Sequence, residues 1–520
     1  MNQIFLQTQS EWVKKTITEM TLEEKVGQLL VSRASKSDIE EIIEKGMVGG
    51  LYFGSDVPPE RIAHLKKMSK IPLFAAQDLE VGYTAGSNEW PSAMALGAIG
   101  DPELAYKWSY YQGLEARANG INCVFGPVLD IALNPESQAT STRPISGDPV
   151  QTADLGIQVV KGYQDAGILP FAKHFPGFGR GNQDAHMELS KCNADKETLY
   201  KEDLLTFQKA IEKANLAGIM TGHVQVNCID PNVPMPMSKK LMDILPELGF
   251  NGLTITDSLA MKGILALYSS SELYPGVIES GHDMVLANYH TPDKEGFRYL
   301  LEAFQSGRIS MEILDYKVGR ILQMKEYLEA QKMPLINLDE HKKLFREISD
   351  KSMTAVRLDG KEFIPLDKSK KSLIVVVSQE FVDVKGELPT ATTPVEKMVN
   401  MLKEKFPCSE IELLPIFSDG TQNERLLNKS LEYKEIHIIA NAMKRAYSGA
   451  AHYHRPLLSL VRALQPKINT FVIFGNPAAA KDLPQLPQLL FCYGGSIWVE
   501  SMLNVLEGKM RPQGKLPIKY

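Results

Sequence analysis

Cysteine is scarce and scattered in this chain: Cys123, Cys192, Cys228, Cys408 and Cys492 stand far apart, with no C-x-x-C pair. That spacing excludes a disulfide framework and a thiolate zinc site, and His452-x-His454 alone makes a poor zinc site. Long apolar runs are also missing; none approaches the roughly 18 to 20 residues that span a bilayer, so no membrane partner is expected. Basic charge is in deficit, 57 Lys and Arg against 63 Asp and Glu for a net charge of -6, which argues against nucleic acid. There is no internal repeat or low-complexity tract. Gly475-Asn-Pro lacks the Gly-Lys-Ser of a phosphate loop. The first thirty residues carry charges from Lys14 onward and lack the apolar centre and cleavage site of a signal peptide, which predicts a cytoplasmic protein.

What remains is an average soluble composition, 44% apolar and 23% charged, over 520 residues, a length that favours two or more domains. Short apolar runs read as strands at 26–31, 48–53, 72–77, 122–128, 168–173, 218–223, 252–257 and 283–287. Amphipathic stretches at 102–118, 150–165, 197–215 and 294–305 lie between them, two opened by Asp101-Pro102 and Asp148-Pro149. Eight strand–helix units in about 300 residues predict a closed (β/α)8 barrel. Chemistry should then sit at the C-terminal strand ends, where Asp78, Asp130, Lys173, His174, His223 and Asp257 fall.

A second alternating pattern, with strands at 372–377, 435–440 and 470–474 and helices at 395–405, 455–464 and 496–507, predicts a three-layer α/β sandwich. The expected organisation is a barrel over 1–335, a linker over 336–355 signalled by Pro334, and the sandwich over 356–520.

The segment Phe171-Ala-Lys-His-Phe-Pro-Gly-Phe-Gly-Arg-Gly-Asn-Gln-Asp-Ala-His186 runs from a strand end into a glycine-rich loop. It resembles the signature of glycoside hydrolase family 3, in particular the K-H-F-P-G-x-G and D-x-H pattern of its β-N-acetylglucosaminidase branch. Ile255-Thr-Asp-Ser-Leu-Ala-Met261 is similar to the nucleophile segment, and Ile71-Pro-Leu-Phe-Ala-Ala-Gln-Asp78 to the third-strand segment. Phe125-Gly-Pro-Val-Leu-Asp130 with Asn134-Pro135 and Arg143-Pro-Ile-Ser-Gly-Asp-Pro149 resembles the fourth loop. Glu507-Gly-Lys-Met-Arg-Pro-Gln-Gly-Lys-Leu-Pro517 resembles the family's closing motif, so the likeness spans nearly the whole chain.

Splitting a glycosidic bond takes a proton donor to the leaving oxygen and a group that captures the oxocarbenium-like carbon. The resemblance implies Asp257 as capturing carboxylate; alone, an aspartate there would read as a helix cap. It implies His186 as acid/base, and the D-x-H spacing puts Asp184 on the same side of an extended segment, where it can orient the imidazole. Asp78, Arg143, Lys173 and His174 match positions that hold sugar hydroxyls or orient neighbouring groups. His223 reads equally as a core histidine or a neighbour of the site.

Two departures bear on substrate preference: Gly86 stands where muropeptide-processing members carry an arginine, and Phe178 stands where the family usually has a polar loop residue. The expected activity is a retaining exo-β-N-acetylglucosaminidase acting on a small GlcNAc glycoside, with muropeptides as source. No metal or organic cofactor is required, and the oligomeric state is open. A GlcNAc-glycoside phosphorylase, a family 3 β-glucosidase and a sugar-binding pseudoenzyme stand as alternatives.

Overall fold

A computed structural model describes every residue except 2–3, 6, 55–56, 81–89, 135–136, 138–140, 333–334, 379–394, 443–451, 495–497 and 520. Gly86 and Pro334 lie outside the described residues. The chain divides into two compact units: Met1–Ser87, Pro102–Thr140 and Pro149–Asn337 form the first, and Asn88–Asp101, Ser141–Asp148 and Leu338–Tyr520 the second.

The first unit is a barrel of parallel strands β1 (Leu30–Arg33), β2 (Gly50–Tyr52), β3 (Phe74–Gln77), β4 (Cys123–Val124), β5 (Leu169–Phe175), β7 (Gly218–Thr221), β9 (Leu253–Thr256) and β10 (Val285–Leu286). Its sheet order is β10-β1-β2-β3-β4-β5-β7-β9. An Ile255–Met284 bridge joins the two ends, and the Met284 amide donates to the Thr254 carbonyl at 3.0 Å. Strands covered on both faces read as continuous apolar runs rather than alternating ones, which is why these segments were legible. Two further strands, β6 (Ser190–Cys192) and β8 (Val224–Val226), pair with each other outside the barrel. Three residues each are too few to show a period.

Residues 26–31 do not form the expected first strand. Thr21 and Glu24 make a reciprocal capping box that starts the helix Leu22–Gln28, so the strand begins only at Leu30. The expected strand over 122–128 stops at Val124; Pro127 has no N–H for a ladder. Helices Pro102–Ala118 and Pro149–Asp165 do begin on the prolines the sequence marks.

The second unit holds β11 (Thr354–Arg357), β12 (Leu373–Ser378), β13 (Glu410–Pro415), β14 (Ile436–Ala442), β15 (Ile468–Gly475) and β16 (Gln488–Cys492). They run in the order β11-β16-β15-β14-β12-β13, with β11 antiparallel and the rest parallel. Alternate residues Ile374 and Val376 of β12 join Leu402, Phe406, Trp498 and Met502 in one core, the packing expected of a sandwich whose sheet is covered on each side. Part of the expected linker is helical: Leu338–Ser352 buries Leu344, Phe345 and Ile348 on one face. Among the described residues no helix is long and apolar enough to cross a membrane.

Candidate active site

The loop ends of the barrel strands gather six of the seven predicted site residues in the first unit. Lys173, in β5 and 3% exposed, places Nζ 2.6 Å from Asp78 Oδ1 and 2.8 Å from Glu80 Oε1. Tyr52, at the end of β2, donates its hydroxyl to Asp78 Oδ2 at 3.0 Å. The Asp78 charge and burial hold that phenol well above its usual range, so it remains a donor. Asp78 is thereby fixed from two strands while about 38% of its side chain stays exposed, open to a ligand.

His174 is buried between two carboxylates. Its Nδ1 lies 2.7 Å from Asp130 Oδ2, and its Nε2 stands 3.7 Å from Asp257 Oδ2. Asp130 also accepts the amides of His174 at 3.3 Å and Phe178 at 2.8 Å, so one buried carboxylate sets both the ring and the start of the following loop. The Lys173–His174 peptide is cis.

Asp257 follows β9 directly, and Ser258 N donates to its Oδ1 at 2.7 Å. Burial pushes this carboxyl up, but His174, His223, the Ser258 amide and Lys173 outweigh it and hold it below the usual aspartate value. An anionic carboxylate is the form a nucleophile needs. His223 is fully buried with Nε2 2.8 Å from the Ser258 carbonyl and Nδ1 without a hydrogen-bond partner; burial pushes its imidazole down. It braces the backbone behind Asp257.

His186 Nδ1 lies 2.7 Å from Asp184 Oδ1, which also accepts the His186 amide at 3.0 Å. The His186 side chain is about a quarter exposed and Asp184 is buried. Two glycines allow the loop its course. Gly177 has φ +132°, and a Cβ there would meet Asp203 at 3.2 Å. Gly263, after β9, donates its amide to Ala185 O at 3.2 Å, and a Cβ there would meet Glu188 O at 2.7 Å. The dyad loop is therefore laid against the segment that follows Asp257.

Arg143, the seventh residue, belongs to the second unit. Its segment is tied down there by Ser146 Oγ and the Gly147 amide, both donating to Pro517 O at 2.7 and 2.9 Å. Phe178, expected to bear on substrate preference, is 3% exposed and packs edge-on against His174 with centroids 5.1 Å apart. A Cβ on Gly222 would strike its ring at 2.3 Å. It is part of the floor under His174.

Sequence reasoning passed over several groups. Glu80 stands two residues from Asp78 and shares Lys173. Asp130 was visible as a polar strand end and as part of the fourth-loop motif, with no role attached. Arg180 pairs with Glu202 and, through Nε, with Asp203 Oδ2 at 2.6 Å, which anchors the dyad loop to the π-helical turn Leu199–Asp203. No sequence signal marks that turn.

A parallel barrel with carboxylates and histidines gathered at its strand ends defines an acid/base-equipped barrel enzyme, and the comparisons give its chemistry. Residues 21–324 match the family described as "Glycosyl hydrolase family 3 N terminal domain". The chain belongs to glycosyl hydrolase family 3 and is a family 3 glycosidase. It is 28% identical to the "Beta-N-acetylglucosaminidase/beta-glucosidase" of Cellulomonas fimi, covering 98% of this chain and 95% of that one. The solved family 3 β-N-acetylglucosaminidase of Paenibacillus sp. str. FPU-7 superposes with TM-score 0.85 at 28% identity, over 96% of this chain and 99% of that one. The beta-glucoside phosphorylase BglX superposes with TM-score 0.84 at 25% identity, over 100% and 98%. The likeness to β-N-acetylglucosaminidases and the barrel-plus-sandwich fold are both as the sequence led us to expect.

Proposed function

We propose that this chain is a retaining, exo-acting β-N-acetylglucosaminidase that removes terminal β-linked GlcNAc, with peptidoglycan-derived muropeptides of a bacterial cytoplasm as its source. The Asp184–His186 pair carries this reading. Its 2.7 Å contact engages Nδ1, and we assign proton exchange with substrate to Nε2, whereas the β-glucosidases of the family usually draw their acid from a glutamate in the second domain.

In the first step the protonated imidazole gives its Nε2 proton to the glycosidic oxygen as the bond from that oxygen to C1 breaks, and Asp257 forms a bond to C1. In the second, water bonds to C1, its proton passes to His186 Nε2, and the Asp257–C1 bond breaks. Two inversions at C1 return the original configuration. Asp78, Lys173 and His174 hold sugar hydroxyls or orient their neighbours through charge-assisted hydrogen bonds. Tyr52 and Glu80 support this assignment by fixing Asp78 and Lys173 in place.

A second reading, phosphorolysis, is favoured by the likeness to a beta-glucoside phosphorylase and by the acid/base itself, since an imidazole repels an incoming phosphate less than a carboxylate does. Release rates from nitrophenyl GlcNAc, GalNAc and glucose, with and without inorganic phosphate, test both. GlcNAc should be the preferred glycone and free GlcNAc the product. Preference for glucose, or sugar 1-phosphate as the main product with phosphate present, would overturn the proposal.

A further inference from the structure

Arg33 closes β1 at the rim where the site lies. Register pairs it with Tyr52 of β2, whose hydroxyl donates to Asp78. Register partners in a parallel sheet face the same side, and neighbours along a strand face opposite sides. Ser32 points away from the site, to Asp293 at the start of the helix Asp293–Gln305. Arg33 therefore stands in the layer of Tyr52, one strand beyond Asp78, and it opposes the upward push of the Asp78 charge on the Tyr52 hydroxyl.

Among the described residues no carboxylate forms an ion pair with this guanidinium. Its Nε is buried with no hydrogen-bond partner, and its contact is the face of Tyr289, 5.6 Å from the ring centroid, in the loop after β10. Asp78, one strand beyond Tyr52, is paired with Lys173. Arg33 as a whole is half-buried, and a desolvated N–H without an acceptor is costly. An arginine whose flat fork is steadied by an aromatic face is preorganised for a carboxylate or phosphate.

We infer that Arg33 recognises an anionic substituent, a carboxylate or a phosphate, on the saccharide bound against Tyr52 and Asp78. The inference rests on the site reading proposed above and deepens it, because it adds an acidic substituent to the GlcNAc-containing saccharide that the site prefers. Arg33 takes no part in bond cleavage.

The test is calorimetric titration of the whole protein with N-acetylglucosamine, N-acetylmuramic acid and N-acetylglucosamine 6-phosphate. At least one of the two acids should bind about tenfold or more tightly than the neutral sugar, and which one tells carboxylate from phosphate. Arg33→Gln should erase that preference while leaving the neutral sugar's affinity within about threefold, and Arg33→Lys should restore part of it. Added salt should weaken the preference in the unmodified protein, a readout that does not depend on a variant folding. No preference in the unmodified protein, or a preference that survives Arg33→Gln, overturns the inference. Nitrophenyl GlcNAc assayed in parallel separates the two ideas: turnover without acid preference removes Arg33 alone, and lack of turnover removes the proposed function.

Discussion

Nε2 of His174 stands 3.7 Å from Oδ2 of Asp257, while Nδ1 of the same ring is held at 2.7 Å by Asp130. A buried histidine so placed cannot swing away from Asp257 without breaking its bond to Asp130. It contributes to keeping the Asp257 carboxyl ionised despite burial.

Asp257→Asn should lower turnover by about a thousandfold or more, as expected for loss of a nucleophile, and a 2-fluoro sugar with a good leaving group should label Asp257 in the unmodified protein. Because the folded carboxyl lies below its unfolded value of about 3.9, its ionised form stabilises the fold at neutral pH, and that contribution fades as pH falls below about 4. Denaturant midpoints of the two proteins should therefore converge on acidification. Mass spectrometry that finds the label on another carboxylate would remove Asp257 from the role.

His186→Ala should slow glycosides with poor leaving groups by about 10²- to 10⁴-fold and activated aryl glycosides far less. Asp184→Asn should give a milder form of the same slope, since it loosens the imidazole without removing it. A leaving-group series measured at fixed pH decides the matter; equal losses across the series would speak against acid catalysis.

Phe178→Ala should cost about 3 to 5 kcal/mol of stability, the usual range for emptying a buried phenylalanine site. It should also lower kcat, because His174 loses the ring it rests on. The ratio of GlcNAc to glucose turnover should stay nearly constant, since the ring is buried under the site. A change of tenfold in that ratio would mean the side chain reaches substrate after all.

Asp203 gives a separate pH signature. Burial pushes its carboxyl up to about 6 even though Arg180 pulls it down. An acid whose folded value exceeds its unfolded value favours folding at low pH and loses that advantage as pH rises through the interval between them. Relative to Asp203→Asn, the unmodified protein should be more favoured near pH 4 than near pH 7 in urea titrations. An unchanged difference between the two pH values would show that Asp203 is not titrating there.

Much of this protein is determined locally. Parallel strands buried on both faces must be apolar along their whole length, so β2, β3, β5, β7 and β9 could be read as short runs, and the prolines at 102 and 149 marked their helices. The D-x-H spacing set Asp184 beside His186, but through a turn in place of the expected extended segment: the Met187 and Glu188 amides donate to Asp184 O at 2.8 and 2.9 Å, and the His186 amide donates to Asp184 Oδ1. The first strand was misread where Thr21 and Glu24 captured a helix, a reciprocal contact worth more than the β-branched character of the residues after it. Other relationships depend on residues far apart in sequence. Asp130 meets His174 across 44 positions and Lys173 meets Asp78 across 95, pairings that only closure of the barrel creates. Phe178 changes from a candidate substrate contact to floor because Gly222 leaves room for its ring, and Arg33 comes to stand beside Tyr52 because β1 and β2 pair in that register. Such outcomes follow from competition among side chains for the same space and the same charge, which exists only once the strands stand side by side.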